Sequence, residues 1–209
     1  MFYFKGVTEY ADKVDGTLLY IILISIVLLL GVTFVMLYFV WRYSRKKNPV
    51  ATQIHGNTTI EVVWTVIPTL LVITMFFAGY TDFKNLRNTQ TQDIEIQVTA
   101  RMWGWKFNYP NGTETDTVYI PVNKTVKFKI TSVDVLHSFY IPAFRMKEDA
   151  VPRRQGFIFA TPVKTGVYDI ACAEYCGMNH WNMYTKVYVM EQDEFDKWYK
   201  AKGQTLSSN

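Results

Sequence analysis

The side chains best suited to chemistry are concentrated in one short segment, from Cys172 to Met183. Within it, the thiol of Cys176, the imidazole of His180 and the thioether of Met183 lie within eight residues. A second imidazole from a distant loop, His137, would complete a set of two histidines, one cysteine and a weak axial methionine. That is the ligand set of a copper electron-transfer site.

A second thiol distinguishes this segment from a site for one copper ion, which needs only one thiolate. Cys172 precedes Cys176 by four residues, and two thiolates can bridge two metal ions and hold them close together. Two histidines, one methionine and a backbone carbonyl between the cysteines would supply the remaining ligands. One electron shared by two bridged ions changes each bond length less than an electron held by one ion, which favours fast transfer.

Other interpretations of the same residues remain open. The cysteines of an exported domain could form a disulfide, although a four-residue spacing within one loop is unusual and leaves the neighbouring His and Met unexplained. A structural zinc site is disfavoured because methionine is a poor zinc ligand. His137 alone could be an ordinary core histidine, and it gains weight as a ligand because the chain has only three histidines.

The composition shows how such a site would be held. The chain has 209 residues, of which 49% are hydrophobic and 19% charged, and only two are Cys. This excludes a disordered chain and a disulfide-rich scaffold. Two runs without charge, 17–41 and 62–81, are each long enough to cross the hydrocarbon core of a bilayer, about 30 Å thick. The first run is longer than a signal-peptide core and lacks a small-residue cleavage site after it. We therefore predict a membrane hairpin.

The connecting loop predicts the orientation of this hairpin. Four basic residues and no acidic residue lie between Arg42 and Pro49. By the positive-inside rule this loop faces the cytoplasm, so both termini and the predicted metal domain face outward. The membrane would be a bacterial plasma membrane or, alternatively, the mitochondrial inner membrane. His55 lies in the same loop and cannot reach the metal site. The net charge of +4 comes largely from this loop, so we expect a lipid bilayer and no nucleic acid as partner.

The chain divides into three parts on these patterns. Residues 1–81 are the N-terminal segment and transmembrane hairpin, and residues 82–190 contain short alternating strands typical of a Greek-key β-sandwich or barrel. Residues 191–209 form a C-terminal amphipathic helix and a tail, with Phe195, Trp198 and Tyr199 on one helical face.

With these residues in view, the sequence resembles subunit II of the haem–copper cytochrome c oxidases over nearly its whole length. The matching pieces are the two spans and four motifs: Glu61-Val-Val-Trp-Thr-Val-Ile-Pro68, Trp103-Gly-Trp105, Asp134-Val-Leu-His137-Ser138, and the segment from Cys172 to Met183. The resemblance implies a cupredoxin-like fold and a dinuclear copper A centre. The implied ligands are His137, Cys172, Cys176, His180, Met183 and the backbone carbonyl of Glu174.

The resemblance also implies a function and partners. Cytochrome c would deliver electrons through Trp103 to two copper ions, which pass them to haem in subunit I, where oxygen is reduced and protons are pumped. The side chain of Glu174 would help to hold a magnesium or manganese ion shared with subunit I. Glu61 would mark the mouth of a proton pathway into subunit I, and Asp134 would contribute to docking or to order around the ligands. Subunit III is a further expected partner.

The chain departs from the mitochondrial-type pattern close to the implied docking region. Arg101 and Met102 replace a His-Gln pair, Gly104 replaces an aromatic residue, and Val133 stands where some members have an acid. From Asp82 onward the chain carries 16 Lys and Arg against 14 Asp and Glu, a net charge of +2. An acidic docking face for a basic cytochrome is therefore not expected here.

Three other functions are compatible with parts of the sequence. A quinol-oxidase subunit shares the anchor and fold but lacks the copper ligands. A membrane-anchored copper-binding or copper-delivery protein would work without oxidase partners. Nitrous oxide reductase has a similar copper motif, but two N-terminal spans and Glu61 fit it poorly.

Overall fold

The structure, a computed structural model, describes residues 6–87 and 91–206. Two compact units are present: Val14–Asp82 forms one, and the described residues on either side of it form the other.

A helical hairpin makes up most of the first unit. Helix α1 covers Ala11–Arg42 and helix α2 covers Thr58–Arg87, and both are long and apolar enough to cross a membrane. The Tyr20 hydroxyl lies 2.7 Å from Thr74 Oγ1. Both predicted spans fall inside these helices, and the broad exposure of their apolar side chains is what a lipid-facing surface requires.

The sequence specifies the start of α2. The Ile60 N–H donates to Asn57 Oδ1 at 3.2 Å, so Asn57 satisfies one of the free N–H groups at the helix N-terminus. Glu61 lies in the first turn, where a negative charge interacts favourably with the helix dipole. Pro68 lies inside the helix without ending it.

Two five-stranded sheets form the β-domain. The first sheet has the order β3-β2-β1-β5-β8, in which the strands are β1 (Ile94–Arg101), β2 (Gly104–Asn108), β3 (Glu114–Thr115), β5 (Val126–Ser132) and β8 (Gly156–Ala160). The second has the order β4-β10-β9-β6-β7, in which the strands are β4 (Val118–Pro121), β6 (His137–Ile141), β7 (Met146–Ala150), β9 (Gly166–Cys172) and β10 (Tyr184–Met190). Strand β1 pairs with β5 in parallel, and so does β4 with β10.

The core lies between these sheets and follows from strict alternation along the strands. In β5, every second residue from Val126 to Ser132 is buried, because successive side chains point to opposite faces of a sheet. Phe128 of the first sheet meets Phe139 of the second with ring centroids 5.3 Å apart. The predicted β-sandwich is present.

Helix α3 (Gln192–Leu206) lies in the predicted C-terminal segment 191–209. Residues 207–209 of that segment lie outside the described range. Phe195 is buried, and Trp198 stacks on Tyr119 at 4.6 Å. One apolar face of α3 therefore packs against β4, as its spacing predicts.

The residues just before α1 belong to the β-domain. The Val7 N–H donates to the Ala143 carbonyl and the Val163 N–H donates to the Val7 carbonyl. Thr8 is buried, and its hydroxyl donates to the Phe144 carbonyl at 3.0 Å. Sequence patterns had grouped these residues with the hairpin, because a short segment of mixed polarity gives no periodic signal of where it packs.

Candidate metal centre

Neighbouring strands of the second sheet position the predicted metal-binding side chains. His137 is the first residue of β6 and Cys172 is the last residue of β9, and Cys172 pairs with Phe139, two residues after His137. The Cys172 N–H donates to the Met183 carbonyl at 3.2 Å. The loop from residue 173 to 183 is thus closed at its base by the β9–β10 ladder.

Two local features shape this loop. Gly177 has a φ of +114°, which L side chains rarely adopt. A Cβ at Gly177 would lie 3.3 Å from Cζ2 of Trp103. A 3-10 turn, His180–Asn182, then returns the chain to β10. Glycine at 177 therefore allows both the turn and the close approach of Trp103.

All five predicted side-chain ligands converge at this end of the domain. The two cysteine sulfurs are 3.8 Å apart. Cys172 Sγ lies 3.9 Å from His137 Nδ1, Cys176 Sγ lies 3.5 Å from His180 Nδ1, and Cys176 Sγ lies 3.8 Å from Met183 Sδ. The sixth predicted donor, the Glu174 carbonyl oxygen, is 3.2 Å from Cys172 Sγ.

The protonation and burial of the cysteines bear on what the cluster can bind. Both are free thiols, at a separation far beyond the roughly 2.05 Å of a disulfide bond. The pKa of Cys176 is raised to about 12, mainly by burial and secondly by the adjacent Cys172 thiol. A thiolate at Cys176 is therefore costly unless a cation neutralises it.

The donor set fits copper. His137, Met183 and Cys176 are buried, so these three donors are screened from water. Thiolates, imidazoles and a thioether are soft or intermediate donors, which suit copper and exclude magnesium or calcium. His137 Nδ1, Cys172 Sγ and Cys176 Sγ lie within 4.8 Å of one another, which is compact enough for sulfur atoms to contact common ions.

Asp134 connects the ligand His137 to the neighbouring loop. Its Oδ1 lies 2.8 Å from His137 Nε2, and its Oδ2 accepts from the Met102 N–H at 2.7 Å. Burial of Asp134 works against ionisation, but the bonds from the Met102 N–H, His137 and the Val135 N–H outweigh it and lower the pKa of Asp134 to about 2. The carboxylate directs the other ring nitrogen, Nδ1, toward Cys172. The sequence placed Asp134 here only as a residue of the docking or ordering region.

Trp103 bridges the solvent and the cluster. Its side chain is 39% exposed, while its ring N–H donates to the Cys176 carbonyl at 3.1 Å. A single hydrogen bond therefore links the Trp103 ring to the backbone of the predicted ligand Cys176. Trp105, two residues later, is buried and packs edge-on against His137 with centroids 6.4 Å apart.

The Glu174 side chain has a partner that the sequence did not reveal. Lys147 Nζ lies 2.9 Å from Glu174 Oε1, and this contact raises the pKa of Lys147. The two residues are 27 positions apart, and the pairing of β6 with both β7 and β9 brings them together. One oxygen of the carboxylate is thus engaged by an ammonium group.

Glu61 and His55 lie outside this cluster. Glu61 is exposed in the first turn of α2, and His55 is exposed before that helix. Both belong to the unit Val14–Asp82 rather than to the β-domain. The role of Glu61 stays a prediction.

The chain joins two apolar helices to a β-sandwich that carries a convergent cluster of thiols, imidazoles and a thioether. These features define a membrane-anchored, cupredoxin-like metal-binding protein. Family models match both parts: the cytochrome c oxidase subunit II transmembrane domain over residues 4–81, and its periplasmic domain over residues 111–190. A protein of Rickettsia bellii named probable cytochrome c oxidase subunit 2 is 30% identical, over 97% of this chain and 82% of its own length. The chain belongs to the cytochrome c oxidase subunit II family.

Other relatives agree with this assignment. Cytochrome c oxidase subunit 2 of Alkalihalophilus pseudofirmus is 33% identical over 90% of this chain and 57% of its own length. The crystal structure of the periplasmic domain of subunit II from Bradyrhizobium japonicum matches with a TM-score of 0.53 and 30% identity, covering 55% of this chain and 96% of that domain. The predicted fold, a two-helix transmembrane hairpin followed by an all-β cupredoxin-like Greek-key domain, is confirmed. As a member of this family the chain is a subunit of a cytochrome c oxidase, which implies partnership with subunit I.

Proposed function

We propose that this subunit accepts electrons from cytochrome c at a dinuclear copper A centre and passes them to haem in subunit I, where oxygen is reduced to water. The observation that carries the proposal is the convergence of four further donors, two imidazoles, a thioether and a backbone carbonyl, on the Cys172–Cys176 pair. When bound there, two copper ions would supply reversible one-electron chemistry with little change in geometry.

The chain's own residues would prepare this chemistry in three ways. Cys172 and Cys176 would bind as thiolates, which requires loss of a proton from the raised-pKa Cys176 thiol on loading. The loop closed by β9 and β10 would hold the donors rigidly, which keeps rearrangement small. Trp103 would receive the electron at its exposed ring, with its N–H bonded to the Cys176 carbonyl.

Replacing Cys176 by Ser tests the proposal on the purified oxidase complex. A serine hydroxyl is a poor ligand for copper, so we expect the near-infrared copper absorbance and oxidation of cytochrome c to be lost together. The matched control is Met178→Leu, which alters an exposed methionine of the same loop and should change neither. Normal cytochrome c oxidation without the absorbance would refute the proposal, and a quinol-dependent rate without cytochrome would favour a quinol oxidase.

We further propose that the Glu174 carboxylate helps to hold a magnesium or manganese ion shared with subunit I. A carboxylate has two oxygens, so the bond from Lys147 to Oε1 leaves Oε2 for a cation. Glu174→Gln should lower the manganese signal of the purified complex in electron paramagnetic resonance while the copper content is kept. An unchanged signal would show that the ion does not depend on Glu174.

The remaining proposals concern the membrane and the proton supply. We propose a bacterial plasma membrane with the β-domain on the outer face, subunit III as a further partner, and Glu61 at the mouth of a proton pathway into subunit I. An ionisable residue at the end of a span is a functional candidate. Glu61→Gln should slow turnover without loss of copper, and unchanged turnover would remove Glu61 from the pathway.

A further inference from the structure

An exposed apolar patch surrounds the Trp103 ring. We call it the tip patch and define it by Met102, Trp103, Val133, Val135 and Leu136, whose side chains are between 37% and 67% exposed. Asp134 connects the Met102–Trp103 part of the patch to the part on residues 133–136. Its carboxylate accepts from the Met102 N–H and contacts His137, which follows Leu136. A contiguous exposed apolar surface of this kind is typical of a protein-binding site.

The charge around the tip patch is positive. Arg101 directly precedes Met102, and the Ala100 carbonyl accepts from the Val133 N–H at 3.2 Å. Arg153 and Arg154 belong to a turn that is held against the other side: Pro152 bridges to Ser132, and the Thr131 hydroxyl donates to the Arg154 carbonyl. All three arginines are exposed.

Two acidic groups near the tip patch already have partners. Asp134 accepts hydrogen bonds from the Met102 and Val135 N–H groups and contacts His137. Glu114, which lies in the same cleft as Arg101, is paired with Lys106 at 2.6 Å. That cleft, about 510 Å³ in volume, is lined by three cations and two carboxylates. The rim that a partner meets is therefore basic around an apolar centre.

From this geometry we infer that the tip patch docks an electron-donor haem protein whose own docking face has an acidic rim around an apolar centre. The inference rests on the proposed function, since it assigns the partner of the same copper centre. In the docked pair, the donor's ferrous haem iron would lose one electron and become ferric, and the oxidised copper centre would be reduced by that one electron. A lysine-rich cytochrome would meet Arg101, Arg153 and Arg154 as like charges, which slow association and weaken specific docking.

The test uses the purified oxidase complex and two forms of one haem protein. One is a lysine-rich cytochrome c, and the other is the same cytochrome with its lysines succinylated, which replaces positive charges by carboxylates. At about 10 mM salt, where the Debye length is about 30 Å, we expect kcat/KM for the succinylated form to exceed that for the unmodified form by about tenfold. Raising the salt to about 200 mM should remove most of the difference.

Charge reversal at the rim then assigns the effect to these residues. The triple variant R101E/R153E/R154E should lower kcat/KM for the succinylated form by about tenfold and raise it for the unmodified form. The control is Lys164→Glu, a charge reversal near the start of β9. Cys172 lies at the other end of that strand. The control should change neither value by more than about twofold.

Three outcomes would overturn the inference: equal or higher kcat/KM for the unmodified cytochrome, no response to the triple variant, or loss of subunit I from the triple variant's complex. The last would mean that the tip patch binds another oxidase subunit. The proposed function is tested separately with ascorbate and tetramethylphenylenediamine, a small reductant with no docking surface. If oxygen uptake with this reductant is lost in Cys176→Ser, the copper route stands whichever cytochrome is preferred.

Discussion

At the scale of single residues, Asp134 holds a predicted metal ligand and the Trp103 loop with one carboxylate. Its two oxygens contact His137 Nε2 and the Met102 N–H. Removing a group that orients a ligating histidine typically costs 10–100-fold in metal affinity. We therefore expect Asp134→Ala to weaken copper binding by roughly that factor, measured by competition with a chelator.

The control for Asp134→Ala is Asp169→Ala. Asp169 is exposed and forms its ion pair with Lys186 on the sheet surface, so its loss should leave copper affinity unchanged. Equal copper affinity in the wild type and Asp134→Ala would show that the cluster is held without Asp134.

The residues of the metal cluster differ in how far the sequence could predict them. Cys172, Cys176, His180 and Met183 lie within twelve positions of one another, so their spacing alone indicates a common site. His137 lies 35 residues before Cys172, and only strand pairing between β6 and β9 brings it near. The contact of Lys147 with Glu174 was missed for the same reason, because neither residue carries a motif that points to the other.

At the scale of elements, the loop between β9 and β10 depends on Gly177. A side chain there would need a φ of +114° and would press on the Trp103 ring. We expect Gly177→Ala to destabilise the domain by about 1–3 kcal/mol and to shift the copper absorbance, because Cys176 is the preceding residue. Chemical denaturation and near-infrared spectra of the purified chain would measure both effects.

Gly104→Ala is the matched control for Gly177→Ala. Gly104 starts β2, and a Cβ there meets no atom within 4 Å. We expect its spectrum to match that of the wild type. If Gly177→Ala also matched the wild type, the loop would not require glycine at position 177.

A second element-scale prediction concerns Tyr109, which joins β2 to β4. Its hydroxyl donates to the Tyr119 carbonyl and accepts from the Tyr119 N–H, and its ring packs edge-on against Trp198 of α3. Burial raises the pKa of Tyr109 above its ordinary value of 10. The folded state therefore holds this proton more tightly than the unfolded chain does, so the free energy of unfolding should fall as the pH rises above about 10.

Tyr109→Phe isolates this effect. The variant loses two hydrogen bonds, which should cost about 1–3 kcal/mol at pH 8, but it has no proton to lose at this position. We expect denaturation midpoints measured at pH 8 and pH 11 to differ less for the variant than for the wild type. An equal decline in both would assign the alkaline instability to other groups.

The elements themselves were more predictable than their partners. Alternation of apolar and polar residues in 94–98 and 125–130 predicts two strands. The first range lies within β1, and the second overlaps β5 from Val126 onward. The packing of Val7 and Thr8 on the β-domain could not be foreseen, because it depends on the backbone carbonyls of residues 143 and 144 and the backbone N–H of residue 163 rather than on a repeating pattern.

At the scale of the whole molecule, the loop between the helices determines which face of the membrane the β-domain occupies. By the positive-inside rule, the basic residues from Arg42 to Lys47 favour the cytoplasmic side, so we predict that the β-domain lies outside. Thr52 in this loop and Lys200 on α3 are both exposed, so a cysteine at either position can report its side. In spheroplasts treated with a membrane-impermeant maleimide, we expect Lys200→Cys to be labelled at once and Thr52→Cys only after permeabilisation. The wild type corrects for labelling of Cys172 and Cys176. Labelling of Thr52→Cys in intact spheroplasts would reverse the orientation and would place the copper cluster out of reach of an external donor.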